Sequence, residues 1–313
     1  MAKSQFCSNF SKESGEPIAG SAPFAKHFIF ISWPKKYWGY EALEAKGGFS
    51  KGLKSWIEKN SKVFGKITIR LVNREGIKND FSDIFIYPGK YVYQKVCPNN
   101  IIEILDSHFQ QNFEKNNFSK KLINDQIFVC THGRHDKCCA KYGQRVVEQM
   151  RDHVVKNNLN IDIWESSHLG GHRFAATLID FPRGLSYGRL TPDKIPSYFL
   201  YRKANKIFMP AYRGSVFLAE LEKIAEANIL NYCFNKKWSC MVEVKKIDKI
   251  SEKEFKCIAK LNPIKGFEKI QKYSHIESTF NFFLKEYKNP SGCDSINVNE
   301  LRKCWKMRTP VNI

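Results

Sequence analysis

The chain has 313 residues, a formal net charge of +20, 42% hydrophobic and 26% charged residues, values of a globular protein long enough for two or three domains, since single cores rarely outgrow about 250 residues. No apolar run approaches the ~20 residues of a membrane helix, and the opening "MAKSQFCSNFSKESGEP" has no signal-peptide stretch, so a cytoplasmic protein without membrane insertion is expected. Ten cysteines without a secretory signal read as reduced thiols, metal ligands or redox groups rather than a disulfide framework.

In chain order, a strand "HFIFIS" leads to a helical stretch from Tyr37 to Glu58, a strand "KITIRLV", a hairpin "DIFIYPGKYVYQKV" and a helix near Asn99. About a hundred residues later the order returns: "QIFVC", a helix over 136–157, "IDIWES", a hairpin "FAATLIDFPRGLSYG" and a helix near Thr191. Both hairpins turn on a Pro with a following Gly, Pro88 and Gly89 in the first and Pro182 and Gly184 in the second. Proline presets φ and glycine allows the positive φ of such turns. Shared element order points to duplication of a thioredoxin-like α/β unit. A helix from Ser215 to about Tyr232 and strands "WSCMVEVKKI" and "FKCIAKLN" follow, either as a small α+β cap or as an extension of the core. The expected division is 1–122, a first repeat; 123–212, the repeat with the site; and 213–313, the extension.

The densest chemistry is "CTHGRHDKCC" at 130–139. At 100° per residue, Tyr142, Val146, Val147, Met150 and Val154 form an apolar stripe with Cys139 near its middle and Cys138 to one side. Asp136 is placed to cap that helix by accepting from the amide of Cys138 or Cys139, and the first turn favours a thiolate. Cys130 ends a strand at the sheet edge that faces helix N-termini. "IDIWES" ends at the same edge and runs into "SHLGGHRF", where Gly170 and Gly171 let a bent loop aim His168 and His172 at one atom. Two cysteines and two histidines from adjacent termini make a Cys2His2 metal site.

These motifs resemble the sucrase/ferredoxin-like family of thioredoxin-like 2Fe-2S ferredoxins: "CTHGRHDKCCAKYG", "SHLGGHRFAATLIDFPRGLSYGRL", "YRG" at Tyr212 to Gly214, and the opening "CSNFSKESGEPIAGSAP". The resemblance implies a 2Fe-2S cluster held by Cys130, Cys139, His168 and His172 in an arrangement unlike that of Rieske proteins, and a one-electron carrier or redox sensor. Cys138, beside a ligand, is a spare that can exchange with one or form a mixed disulfide. His132 is expected to support the site from behind or to bond backbone, His135 to face solvent, and Arg173 either to balance cluster charge or to be an ordinary strand arginine. The first repeat carries Ser32, Trp33 and Pro34 where the second carries Cys130 and its loop, so one cluster is expected. Cys7, Cys97, Cys233, Cys240, Cys257, Cys293 and Cys304 are expected to be buried thiols.

Three other readings compete. A structural zinc module is opposed by ligand gaps of eight, twenty-eight and three, which differ from finger spacing. A thiol-disulfide oxidoreductase lacks Cys-x-x-Cys. A sugar hydrolase, suggested by the family's label, needs two carboxylates across a cleft, with Asp162, Glu165, Asp136 and Asp180 as candidates by elimination. The basic charge favours encounter with an acidic redox partner; nucleic acid is not indicated, because no aromatic-basic signature or finger spacing is present.

Overall fold

The computed structural model describes residues 6–49, 51–110, 119–121, 124–264, 274–288, 292–293 and 299–312. After a short helix α1 (Cys7–Glu13), β1 (His27–Ser32) crosses through α2 (Leu53–Phe64) to the parallel β2 (Ile67–Asn73). β3 (Ser82–Tyr87) returns antiparallel to β1 and pairs with β4 (Tyr91–Val96); α3 (Ile101–Phe109) and a short β5 (Ser119–Lys121) complete this half. The second half repeats the scheme. β6 (Asp125–Cys130), α4 (Lys137–Lys156) and the parallel β7 (Ile161–Ser166) are followed by β8 (Leu178–Phe181), antiparallel to β6, then β9 (Leu185–Tyr187) and α5 (Ile195–Lys203). Strand for strand this is the expected thioredoxin-like α/β topology, present twice.

The halves join through the ends of β2 and β7, where Val72 faces Ser166 and Asn73 faces Glu165. One ten-stranded sheet results, and its order runs outward from that seam in matching sequence: β2-β1-β3-β4 on one side, β7-β6-β8-β9 on the other. Strands β1 and β6 are buried along nearly their whole length, which accounts for their unbroken apolar runs. The two halves also share an aromatic cluster in which the rings of Phe30 and Phe128 stack at 3.7 Å, with Phe85, Tyr87 and Phe181 around them.

Two element boundaries differ from expectation. The stretch Tyr37 to Glu58 is not one helix: it holds 3-10 turns at Lys35–Tyr37 and Ala42–Glu44, and α2 begins only at Leu53. Gly47, Gly48 and Gly52 adopt positive φ there, a conformation that ends helices and that glycine alone enters freely. The helix expected from Ser215 starts later, because Tyr212–Ser215 forms β10 against β9 and α6 spans Glu220–Asn235.

The tail does not extend the first sheet. β11 (Cys240–Ser251), β12 (Glu254–Pro263), β13 (His275–Lys288), β14 (Asn299–Met307) and β15 (Val311–Asn312) form an antiparallel sheet of their own. Ile224, Ile229 and Cys233 of α6 pack on its Phe255, Cys257 and Ala259. Of the expected domain limits, 122/123 lies outside the described residues, and 212/213 falls within β10. Among the described residues no helix is long and apolar enough to cross a membrane.

Candidate metal centre

β6 delivers Cys130 to the sheet edge, and the loop Thr131 to Asp136 turns the chain into α4. Asp136 caps α4, its Oδ1 accepting the Cys138 N–H at 2.7 Å, while the Cys139 N–H donates to the Asp136 carbonyl at 3.1 Å. α4 lies so close on β6 that a Cβ on Gly143 would stand 3.0 Å from the Cys130 carbonyl carbon. Glycine at 143 therefore sets the approach that brings Cys139 over Cys130. The two sulfurs and one ring nitrogen of His168 all lie within 4.8 Å of one another, with both thiols buried.

The histidines come from the loop after β7. Its start is fixed to the first half: Ser167 N–H donates to the Leu71 carbonyl at 2.8 Å, and Ser167 Oγ accepts the Leu71 N–H at 3.0 Å. His168 N–H then donates to His132 Nδ1 at 3.2 Å, and His132 Nε2 meets the Gly39 carbonyl at 2.8 Å. A neutral His132 protonated on Nε2 satisfies both bonds. Gly170 and Gly171 adopt φ of +85° and +78°. Arg213 closes against them, donating to the Gly170 carbonyl at 3.0 Å and to Ser21 Oγ at 3.0 Å. A Cβ on Gly171 would stand 2.9 Å from Arg213 Cζ. The buried Nδ1 of His168 has no hydrogen-bond partner among the described residues, which leaves it able to take a further bond.

His172 does not enter the three-donor group. Its Nδ1 sits 2.7 Å from Asp136 Oδ2, and its ring centroid is 5.6 Å from that of His168. A carboxylate on one ring nitrogen is how metal-binding imidazoles are oriented so that the other nitrogen binds. The donor set thus fits a soft or borderline metal centre: two thiols, one orphaned imidazole nitrogen, and a second imidazole with Nδ1 already held.

Local electrostatics favour one thiolate. The Cys139 S–H, opposed by burial and helped by His168 and the His132 amide, holds Cys130 well below the usual thiol range, while the same contact and burial push Cys139 up. Burial raises Asp136, but the His172 hydrogen bond and charge and the Cys138 amide outweigh it and hold the carboxyl below its ordinary range. Burial, then repulsion from His168, presses His135 down to about 4.

Several side chains stand elsewhere than expected. His135 is not in solvent: it is half-buried, its ring 3.7 Å from that of His168. Cys138 is fully buried on another side of α4, in contact with Cys7 and Cys293 at 3.5 and 3.2 Å. Arg173 lies in a 3-10 turn, not a strand, and its Nε donates to Glu16 at 2.7 Å, so its charge is spent on the opening motif. Cys97 is exposed, not buried. Each hydrolase candidate has its own partner: Asp136 the α4 cap and His172, Glu165 the pair Lys35 and Thr131, Asp162 the Gln126 amide, and Asp180 the buried cluster with Arg202 and Tyr198. The residues that single-site reading missed are Arg213, which clamps the glycine loop, and Gly39 with Trp38, whose ring meets that of His132 at 5.5 Å. "YRG" is the signal for the first; the sequence carries none for the second.

The sucrase/ferredoxin-like description matches residues 18–214, a span that includes both halves of the sheet and all four candidate ligands. The chain belongs to the sucrase/ferredoxin-like family. It is 34% identical over 76 residues to the protein named Altered inheritance of mitochondria protein 32 from Debaryomyces hansenii, covering 23% of this chain and 28% of that one. To the protein of the same name from Clavispora lusitaniae it is 26% identical over 96 residues, covering 29% and 34%. The matches thus span about a third or less of these relatives. Among solved structures, a thioredoxin-like [2Fe-2S] ferredoxin from Aquifex aeolicus aligns with 28% of this chain and 89% of its own, at 14% identity and a TM-score of 0.27. A second structure of that ferredoxin, the wild type, aligns over 28% and 95% at 13% identity and a TM-score of 0.26.

Proposed function

We propose that this chain is a one-electron carrier or redox sensor that holds a 2Fe-2S cluster through Cys130, Cys139, His168 and His172. The observation that supports it is the convergence of both thiols and a His168 ring nitrogen within 4.8 Å, with the buried His168 Nδ1 unpartnered. A bound cluster would supply reversible one-electron chemistry. The protein's part is to fix the donors: Asp136 orients His172, His132 holds the backbone of His168, and Arg213 holds the loop between them. Two neutral imidazoles in place of thiolates make the centre less negative, which moves its potential from about −400 mV for all-cysteine plant-type centres toward the Rieske range of about −150 to +300 mV. In this reading 123–212 carries the centre, 1–122 supplies its cover, 213–313 is an extension, and the partner is an acidic redox protein drawn by the +20 charge.

Anaerobic purification with a visible spectrum and iron and sulfide analysis tests the reading. A red-brown protein with iron and sulfide in equal amounts, giving an EPR signal on reduction, is expected. A colourless protein carrying zinc on these four residues would replace it with the structural-module reading.

A further inference from the structure

A second group of metal-binding atoms lies on the other side of the first turn of α4. Cys7 opens α1, Cys138 is the neighbour of Cys139, and Cys293 lies in the segment between β13 and β14, so three remote parts of the chain meet here. Their sulfurs are 3.5 Å (Cys7 to Cys138), 3.2 Å (Cys138 to Cys293) and 3.8 Å (Cys293 to Cys7) apart. Asp136 completes the group, with Oδ1 at 3.3 Å from Cys293 Sγ and Oδ2 at 4.0 Å from Cys7 Sγ. All four residues are buried.

With Zn–S bonds of about 2.3 Å, a tetrahedral site sets its sulfurs about 3.8 Å apart, close to the spacing of this trio. A disulfide would need two sulfurs drawn to about 2.05 Å and would leave the third thiol odd. We infer that Cys7, Cys138, Cys293 and Asp136 form a mononuclear site for a thiophilic divalent cation, zinc above all, separate from the Cys130/Cys139/His168 group. Binding exchanges the three S–H protons for one Zn2+, with no change of oxidation state. Three thiolates and a carboxylate around a dication leave a net negative charge. The N-terminal turn of α4 and the amides of Cys138 and Cys293, which donate to Asp136 at 2.7 and 3.1 Å, face that charge. The ion would tie the opening segment and the C-terminal extension to the helix that presents Cys139. Its carboxylate would be the one that also holds His172.

The test is metal and sulfide analysis of the full chain expressed with zinc and iron supplied, beside Cys7→Ser, Cys293→Ser and, as a control in the remote sheet, Cys257→Ser. Zinc near one equivalent per chain, lost in Cys7→Ser and Cys293→Ser but retained in Cys257→Ser, with iron and sulfide unchanged, is expected. Should a variant misfold, cadmium-113 NMR of the cadmium-loaded wild-type chain counts the sulfur ligands directly, and three are expected. Zinc retained in both serine variants, a Cys7–Cys138 or Cys138–Cys293 disulfide in the metal-free native protein, or iron and sulfide lost together with the zinc would overturn the inference. Zinc at this site in a protein without iron would leave it standing while the cluster reading fell.

Discussion

The two halves of the sheet have one topology and different strand ends. β6 ends in Cys130, followed by Thr131 and His132, and its helix opens with two cysteines behind a capping aspartate. β1 ends in Ser32, followed by Trp33 and Pro34, and its helix begins after Gly52 with no side-chain cap. Where the second half places the thiol of Cys130, the first places the buried Ser32, whose Oγ accepts the Asp83 N–H at 2.7 Å, and the next residue, Trp33, packs against Phe49 with its Nε1 donating to the Lys46 carbonyl. The loop freed of ligands is used differently. It reaches over the other half, where Gly39 accepts from His132 and the carbonyls of Trp38 and Lys36 accept from Arg134. The two halves thus share a frame and differ in the groups at their strand ends, and a shared frame does not by itself carry a shared function.

The sharpest test of that difference is also the largest expected effect. Cys130→Ser or Cys139→Ser should abolish retention of iron and sulfide, read by colorimetric analysis after desalting. Ser32→Cys, which puts a thiol at the matching strand end of the first half, should add none, because among the described residues no second cysteine or histidine loop stands opposite. Extra iron in Ser32→Cys would mean that the frame itself, and not the local donor set, makes the site.

Next comes the potential. His168→Cys and His172→Cys each add a thiolate where a neutral imidazole stood, and should lower the midpoint by on the order of 100 mV or more while keeping the cluster. Redox titration followed by EPR reads the change, and an unchanged midpoint in either variant removes that histidine from the ligand set.

Much of the second half could be read in advance because its signals are periodic. The buried runs of β6 and β7 and the stripe Val146, Val147, Met150 need only side-chain spacing, and Asp136 before Cys138 is a capping signal of two residues. α2 begins later than its apolar spacing suggests because Gly47, Gly48 and Gly52 interrupt a stretch that looks continuous. The neighbours of Cys138 were out of reach for another reason: Cys7 and Cys293 lie 131 and 155 residues away in segments with no repeating pattern, so only the folded chain shows them meeting. His135 reads as solvent-facing because its position depends on the path of a loop; in the fold its ring lies 3.7 Å from that of His168 and 4.9 Å from that of Tyr40.

A smaller effect is expected at Asp136, whose two jobs can be separated. Asp136→Ala removes both the cap and the partner of His172, at a cost of about 1 kcal/mol for the cap alone. Asp136→Asn keeps a good cap but withdraws the negative charge from His172. Chemical denaturation should therefore rank alanine below asparagine and asparagine below wild type, because both lose the carboxylate charge that His172 and the Cys138 amide stabilise in the fold. Iron retention should suffer in both; retention equal to wild type in asparagine would show that the carboxylate does not orient a ligand.

The last contrast concerns how each half uses a half-buried histidine. His168 has a place in a donor group, whereas His108 in the first half packs among aromatic rings with Nδ1 against Tyr93 Oη at 2.8 Å. Burial, then the charge of His27, pushes His108 down to about 4, against about 6.5 in an unfolded chain. Between those values the unfolded state binds more protons than the folded one, so stability rises with pH across the window and is lost as pH falls from about 6.5 to about 4. Relative to His108→Gln, which does not titrate, the wild-type chain should lose roughly 3 kcal/mol on acidification through that window. Thermal melts of both proteins from pH 7 down to pH 4 read the difference; parallel curves would show that His108 is protonated as readily in the fold as out of it.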